Sequence, residues 1–267
     1  MNQDDDSPVT PPDFSRWKAR GRKIAVLTAY DFTQSRLLDL AGVDCLLVGD
    51  TLGMVVQGHD TTLRVTLDQM IYHAEMVARA AKRALVVVDL PFGTYHSGIA
   101  DALRSGTRVL KETQAQAVKL EGGRRLAETV RALVDSGIPV MGHVGLLPQS
   151  VRGLGGFKVQ RDGEAILADA LAIAEAGAFA VVLECVPVDV ARTVTESLAI
   201  PTIGIGAGSH CDGQVLVTPD LLGLFDDIRP RFVRRYADLS HATRDAVSSY
   251  VADVRAGRFP GAEESFR

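Results

Sequence analysis

Cysteine is scarce in this chain of 267 residues: Cys45, Cys185 and Cys211 are an odd number with no CxxC spacing. That excludes a disulfide framework or a cysteine zinc site and fits a reducing cytoplasm, with each thiol expected to be small and buried or half-buried. No uncharged apolar run approaches the roughly 18 residues needed to span a membrane. Basic charge is sparse as well. With 29 Lys and Arg against 33 Asp and Glu, the net charge is −4, and the one dense basic stretch is the short "RPRFVRR" at 229–235. Such a balance does not suit binding to nucleic-acid phosphates, so a small-molecule ligand is expected. The start, "MNQDDDSPVTPPD", lacks the basic residues and apolar core of a signal peptide, and its prolines argue against a helix. Residues 1–13 are therefore expected to be a disordered tail ahead of a catalytic domain over 14–267 that ends in a helical segment.

What is abundant is the short run rich in Val, Ile and Leu. Eight recur: "IAVLTAY" (24–30), "CLLVGD" (45–50), "ALVVVDLP" (84–91), "AVKLEGG" (117–123), "IPVMGHVG" (138–145), "AFAVVLECV" (178–186), "IPTIGIGAG" (200–208) and "QVLVTP" (214–219). Most are continuous rather than alternating, the pattern of parallel strands covered on both faces. Helical stretches separate most of them. In 66–83, Leu67, Met70, Ile71, Ala74, Val77, Ala78 and Ala81 form one stripe, and 163–178 is similarly periodic. A glycine follows the helical run in "LAGVD", "DSGIP" and "EAGAF", as at a helix C-terminus before the next strand. Eight such units predict an α/β fold, a single (β/α)8 TIM barrel. A doubly wound sheet is the alternative, though it rarely needs eight strands.

Four of these runs carry an acid at the C-terminal end: Asp50, Asp89, Glu121 and Glu184. In a barrel those ends converge on the face where active sites are built. Lys119 precedes Glu121 by two residues, so both side chains share one face of the strand. Carboxylates gathered out of water need a cation or must hold protons. Without a Cys/His cluster, the oxygen donors suit a hard ion such as Mg2+. The plain alternative for any one of them is a helix N-cap.

The words "VGDTLGMVVQGHDTTLRVTLDQMIYHAEMVAR" (48–79), "VVVDLPF" (86–92), "AVKLEGG" (117–123), "GHVGLLPQSV" (142–151), "LECVP" (183–187), "CDGQVLV" (211–217) and "PRFVRRYADL" (230–239) resemble the ketopantoate hydroxymethyltransferase family. The resemblance runs in order from about residue 14 to the C-terminus. It implies a Mg2+-dependent barrel enzyme of pantothenate biosynthesis. Such an enzyme transfers a hydroxymethyl group from 5,10-methylenetetrahydrofolate to 3-methyl-2-oxobutanoate, giving 2-dehydropantoate. The resemblance also implies a homo-oligomer, often a decamer. Carried over by motif, Asp50, Asp89 and Glu121 fall on metal positions, directly or through water. Asp50, Thr51, Asp89 and Lys119 fall on oxo-acid positions, and Glu184 on the proton acceptor. Thr51 stands where the family usually has Ser; it keeps the hydroxyl and adds a methyl.

Weaker candidates remain. His143 is expected near the same mouth, equally as a ligand contact or as a packed histidine. His59, His73, His96, His210 and His241 are not spaced as a metal cluster. "GIGAG" (204–208) lacks a full dinucleotide fingerprint and is expected to be a close backbone approach at the barrel mouth, beside the pterin. Tyr30, Met54 and Phe92 are expected in the core or pocket wall. Three rival readings stay open: another metal-dependent carbon–carbon lyase of the same barrel type, a Schiff-base enzyme using Lys119, and a non-catalytic metabolite-binding barrel.

Overall fold

All eight apolar runs form strands: β1 (Ile24–Thr28), β2 (Cys45–Val48), β3 (Leu85–Asp89), β4 (Ala117–Glu121), β5 (Val140–Gly145), β6 (Ala180–Glu184), β7 (Thr202–Ile205) and β8 (Gly213–Leu216). Each pairs in parallel with the next, and β8 pairs with β1, closing the barrel. This computed structural model describes residues 7–225 and 230–266; Met1–Asp6 of the expected tail and Arg229 of the basic run lie outside the described residues.

Seven longer helices precede or connect the strands: α1 (Pro11–Ala19), α2 (Phe32–Leu40), α3 (Leu67–Ala80), α4 (Ile99–Thr113), α5 (Ala127–Asp135), α6 (Gly163–Glu175) and α7 (Val188–Ser197). The starts of α3 and α6 are set by caps. Thr66 and Gln69 form a capping box, and the Asp162 carboxylate accepts from the Ala165 N–H. Gly42, Gly137 and Gly177 follow α2, α5 and α6 with φ of +87°, +83° and +98°, the left-handed turn that glycine adopts without strain. Between β7 and β8 the eightfold pattern lapses, because residues 206–212 link the two strands without a helix.

Residues up to Val217 form one compact unit that holds the whole barrel, and Thr218–Arg267 form a second. The expected C-terminal helical segment thus stands as a unit of its own. Its long helix, α8 (Leu239–Arg255), is capped by the Asp238 carboxylate.

The chain before residue 14 departs from the expected tail. Val9 is buried, with its N–H donating to the Arg83 carbonyl, and Pro11–Asp13 open α1. Proline is tolerated in the first helical turn because that turn's N–H groups lack partners anyway. Buried Phe14 and Trp17 of α1 pack with barrel-interior residues Val26, Leu85, Ala117 and Met141. Lys18 donates to the Asp212 carboxylate and to the carbonyls of Thr195 and Ile200, all preceding strands, so α1 closes the N-terminal mouth.

That plug predicts an asymmetric cost. Phe14→Ala is expected to lower unfolding free energy by about 3–5 kcal/mol, as for other buried aromatic truncations, while ligand affinity in the folded fraction stays at the wild-type value. Urea unfolding checks it; a loss below about 1 kcal/mol contradicts the plug.

Candidate active site

Along each strand, alternate side chains enter the barrel. In β3 the inward set runs Leu85, Val87, Asp89; in β4, Ala117, Lys119, Glu121; in β6, Ala180, Val182, Glu184. The first members pack in the apolar interior, and the last line a pocket with about 440 Å3 of atom-free space. His143 of β5 and Thr28 of β1 join them there. The pocket therefore lies at the C-terminal ends, opposite the α1 plug.

Every site residue expected from sequence lines this one pocket: Asp50, Thr51, Asp89, Lys119, Glu121 and Glu184. Strand register brings them close. Asp89 of β3 lies beside Lys119 of β4, and Glu121 beside His143 of β5. The Lys119 Nζ donates to Asp89 Oδ1 at 2.5 Å, and the Asp50 N–H donates to Asp89 Oδ2 at 3.2 Å. Gly49 permits that approach, since a Cβ there would sit 2.9 Å from Thr51 Oγ1 and 3.5 Å from Asp89 Oδ2. Thr51 Oγ1 lies 2.9 Å from the buried Tyr30 hydroxyl. None of the four acids caps a helix in this structure; the short helix after β2, Leu52–Val55, starts at Thr51 without a side-chain cap.

Burial and crowding dominate the electrostatics. Burial, and then the charge on Asp89, push the Asp50 carboxyl up to about 7. Burial, and then Asp50, raise Glu121 well above the usual carboxylate range. Burial opposes the Lys119 charge, but Asp89, Glu121 and Asp50 outweigh it and raise its pKa. A lysine held protonated against a carboxylate is a cation rather than a Schiff-base nucleophile, which weighs against that rival reading.

His143 is 2% exposed, and its Nε2 lies 3.3 Å from Glu184 Oε2, yet neither ring nitrogen has a well-aligned hydrogen bond. It lines the pocket, where both expectations placed it. Phe92, by contrast, is 47% exposed and belongs to neither core nor wall. The remaining histidines are scattered: His73 lies in α3 with Nδ1 on the Tyr30 carbonyl, His96 stacks on Tyr95, and His210 meets Arg192.

Sequence reasoning passed over Gln149 and Tyr95, both buried at this site. Gln149 follows β5 and bonds to Asp50 and Glu121; Tyr95 follows β3 and bonds to Gln149 and to the Glu121 backbone. Neither carries a charge or sits in a periodic run. Their one signal was position, in loops that leave strand C-termini.

The donor set fits a hard divalent ion. Four carboxylates share a pocket in which Lys119 is the only Lys or Arg among the described lining residues, and no thiol lines it. Among the described residues, no three Asp, Glu, His or Cys side chains converge as a ready-made cage. An ion such as Mg2+ takes one or two protein carboxylates and fills its other positions with water or substrate.

Fold and site together define a parallel barrel enzyme with an acid-rich pocket at its strand C-termini. The chain belongs to the ketopantoate hydroxymethyltransferase family: the family model of that description matches residues 8–262. It is 56% identical over 265 residues to 3-methyl-2-oxobutanoate hydroxymethyltransferase of Moorella thermoacetica, covering 98% of each chain. It is 55% identical to the protein of that name from Rhodopirellula baltica, covering 97% of each. Among solved structures, the barrel is similar to 2,3-dimethylmalate lyase, of the PEP mutase/isocitrate lyase superfamily (TM-score 0.62, 19% identity, 96% and 91% covered). Phosphonopyruvate hydrolase with oxalate and Mg2+ is also similar (TM-score 0.60, 13% identity, 97% and 92% covered). At such identities the likeness carries the fold alone.

Crowded carboxylates predict a stability cost. A carboxyl whose pKa rises on folding imposes no penalty below its unfolded pKa, and the penalty grows as pH rises through the folded value. For Asp50 that value is about 7. In chelator-treated protein, Asp50→Asn is therefore expected to raise the melting temperature more at pH 8 than at pH 5. An equal shift at both pH values, or a lower melting temperature at pH 8, contradicts the crowding.

Proposed function

We propose that the protein transfers a one-carbon unit from 5,10-methylenetetrahydrofolate to 3-methyl-2-oxobutanoate, forming 2-dehydropantoate for pantothenate biosynthesis, with Mg2+ as its ion. The observation that carries this reading is the meeting of Lys119, Asp50, Asp89, Glu121 and Glu184 in one pocket of a chain from this family. Asp50, Asp89 and Glu121 would hold the ion, directly or through water. When bound, Mg2+ would supply Lewis acidity that eases loss of the C3 proton from the oxo-acid.

The chain's own groups account for the rest. Lys119 offsets the negative charge of the substrate carboxylate, and the Thr51 hydroxyl offers it a hydrogen bond. Leu47, Val182 and Val215 give the pocket an apolar wall that suits a branched alkyl group. Glu184, which lies next to His143 on the pocket wall, accepts the C3 proton. The deprotonated C3 then attacks the one-carbon unit, water supplies the hydroxyl oxygen, and tetrahydrofolate leaves. The reading includes a cytoplasmic homo-oligomer, possessing three free cysteines and large exposed side chains such as Leu37 and Leu40 on α2.

Two substitutions separate the roles. Glu184→Gln keeps size and hydrogen bonding but cannot take the proton; turnover is expected to fall about 10²–10⁴-fold with oxo-acid binding retained. Near-normal turnover moves the base to another group, His143 first. Lys119→Ala is expected to weaken oxo-acid binding in calorimetry while substrate-free Mg2+ binding persists. Loss of the ion with normal oxo-acid affinity reverses that assignment.

A further inference from the structure

The two residues that sequence reasoning passed over form a closed hydrogen-bonded circuit around the acids. The Glu121 N–H donates to the Tyr95 hydroxyl at 3.3 Å, and the Tyr95 hydroxyl donates to Gln149 Oε1 at 2.7 Å. Gln149 Nε2 donates to Asp50 Oδ2 at 2.9 Å and to the Leu90 carbonyl at 3.1 Å. The Gln149 backbone N–H returns to Glu121 Oε2 at 3.0 Å. Tyr95 is 1% exposed and Gln149 5%.

The orientation of the Gln149 amide is not arbitrary. Leu90 presents a carbonyl, which only accepts, so the NH2 must face it. The amide oxygen Oε1 only accepts, so the Tyr95 hydroxyl 2.7 Å away gives it its proton. With Oε1 occupied, the second amide hydrogen goes to Asp50, where it favours the ionised carboxylate. One residue thereby holds one oxygen of Asp50 through its side chain and one oxygen of Glu121 through its backbone. These acids come from the ends of β2 and β4, while Tyr95 and Gln149 come from the loops after β3 and β5.

We propose that Gln149 and Tyr95 are positioning residues that hold the Asp50 and Glu121 carboxylates in their cation-binding orientation. The inference rests on the reading of those acids as the ion's ligands. Outer hydrogen-bond partners of metal ligands commonly govern affinity by about 10–100-fold, and here one amide serves two ligands.

The test titrates Mn2+, a spectroscopic probe for the Mg2+ site, into the full chain and reads free ion by electron paramagnetic resonance. Gln149→Met, of similar length but without the amide, is expected to raise the Mn2+ dissociation constant about 10–100-fold. Tyr95→Phe is expected to raise it less, and the double variant no more than Gln149→Met, because Tyr95 acts through the same amide. Wild-type protein that binds no Mn2+, or an Asp50→Ala variant that binds it equally well, overturns the cation reading itself. Binding lost in Asp50→Ala but unchanged in Gln149→Met and Tyr95→Phe, even with lower melting temperatures, overturns the positioning role alone. If Gln149→Met does not fold, Tyr95→Phe decides the matter, since it removes one hydroxyl and leaves the ring packing.

Discussion

A single buried ammonium, on Lys119, faces Asp50, Asp89 and Glu121, with Glu184 on the same pocket wall. Taking carboxylates out of water is costly unless opposite charge or protons accompany them. Lys119 sits on Asp89, which leaves Asp50 and Glu121 with raised pKa values. The chain tolerates this because the acids sit on a frame that cannot move apart. Parallel pairing locks Asp89 beside Lys119 and Glu121 beside His143, whatever their charges prefer. An unmet demand for positive charge at a rigid site is what an enzyme that uses a divalent ion would keep, at some cost in stability.

The remainder of the barrel secures that frame. Period-two alternation sends Leu85, Ala117 and Ala180 into an apolar lower layer and Asp89, Glu121 and Glu184 into the upper one. Phe14 and Trp17 seal the lower end, with Phe14 edge-on to Phe179 and the Arg22 guanidinium over the Trp17 ring. One end is thus dry and stabilising, and the other is polar and functional, the division typical of this fold. At the upper end Gly145, with φ of +94°, leaves room for the Glu184 backbone that any Cβ would strike.

Much of this was legible in the residues. Strands buried on both faces must be apolar throughout, so β2 to β7 stood out more sharply than β1 and β8, which each expose a residue, and a charge ending such a run was conspicuous for the same reason. The resemblance to a family then gave those charges roles. What escaped had no such contrast. Gln149, in a single 3-10 turn, and Tyr95, in a loop, are neutral residues outside any periodic run, and only the folded chain places them against Asp50 and Glu121. The helix at Pro11 was hidden by prolines that break helices in the interior but not in the first turn. The missing helix between β7 and β8 is implicit in the short gap, 209–213, between the runs 200–208 and 214–219. His143 was legible in position but not in surroundings: both ring nitrogens lie in the pocket without aligned partners.

On the proposed function, this charge-imbalanced pocket binds a divalent ion and an oxo-acid together and removes the C3 proton. The most direct measurement is deuterium uptake at C3 of 3-methyl-2-oxobutanoate in heavy water, followed by NMR with no folate present. Uptake that requires both the protein and Mg2+, and stops when the ion is chelated, is the expected result. Uptake at the same rate with the ion removed, or none with Mg2+ and oxo-acid both bound, contradicts it.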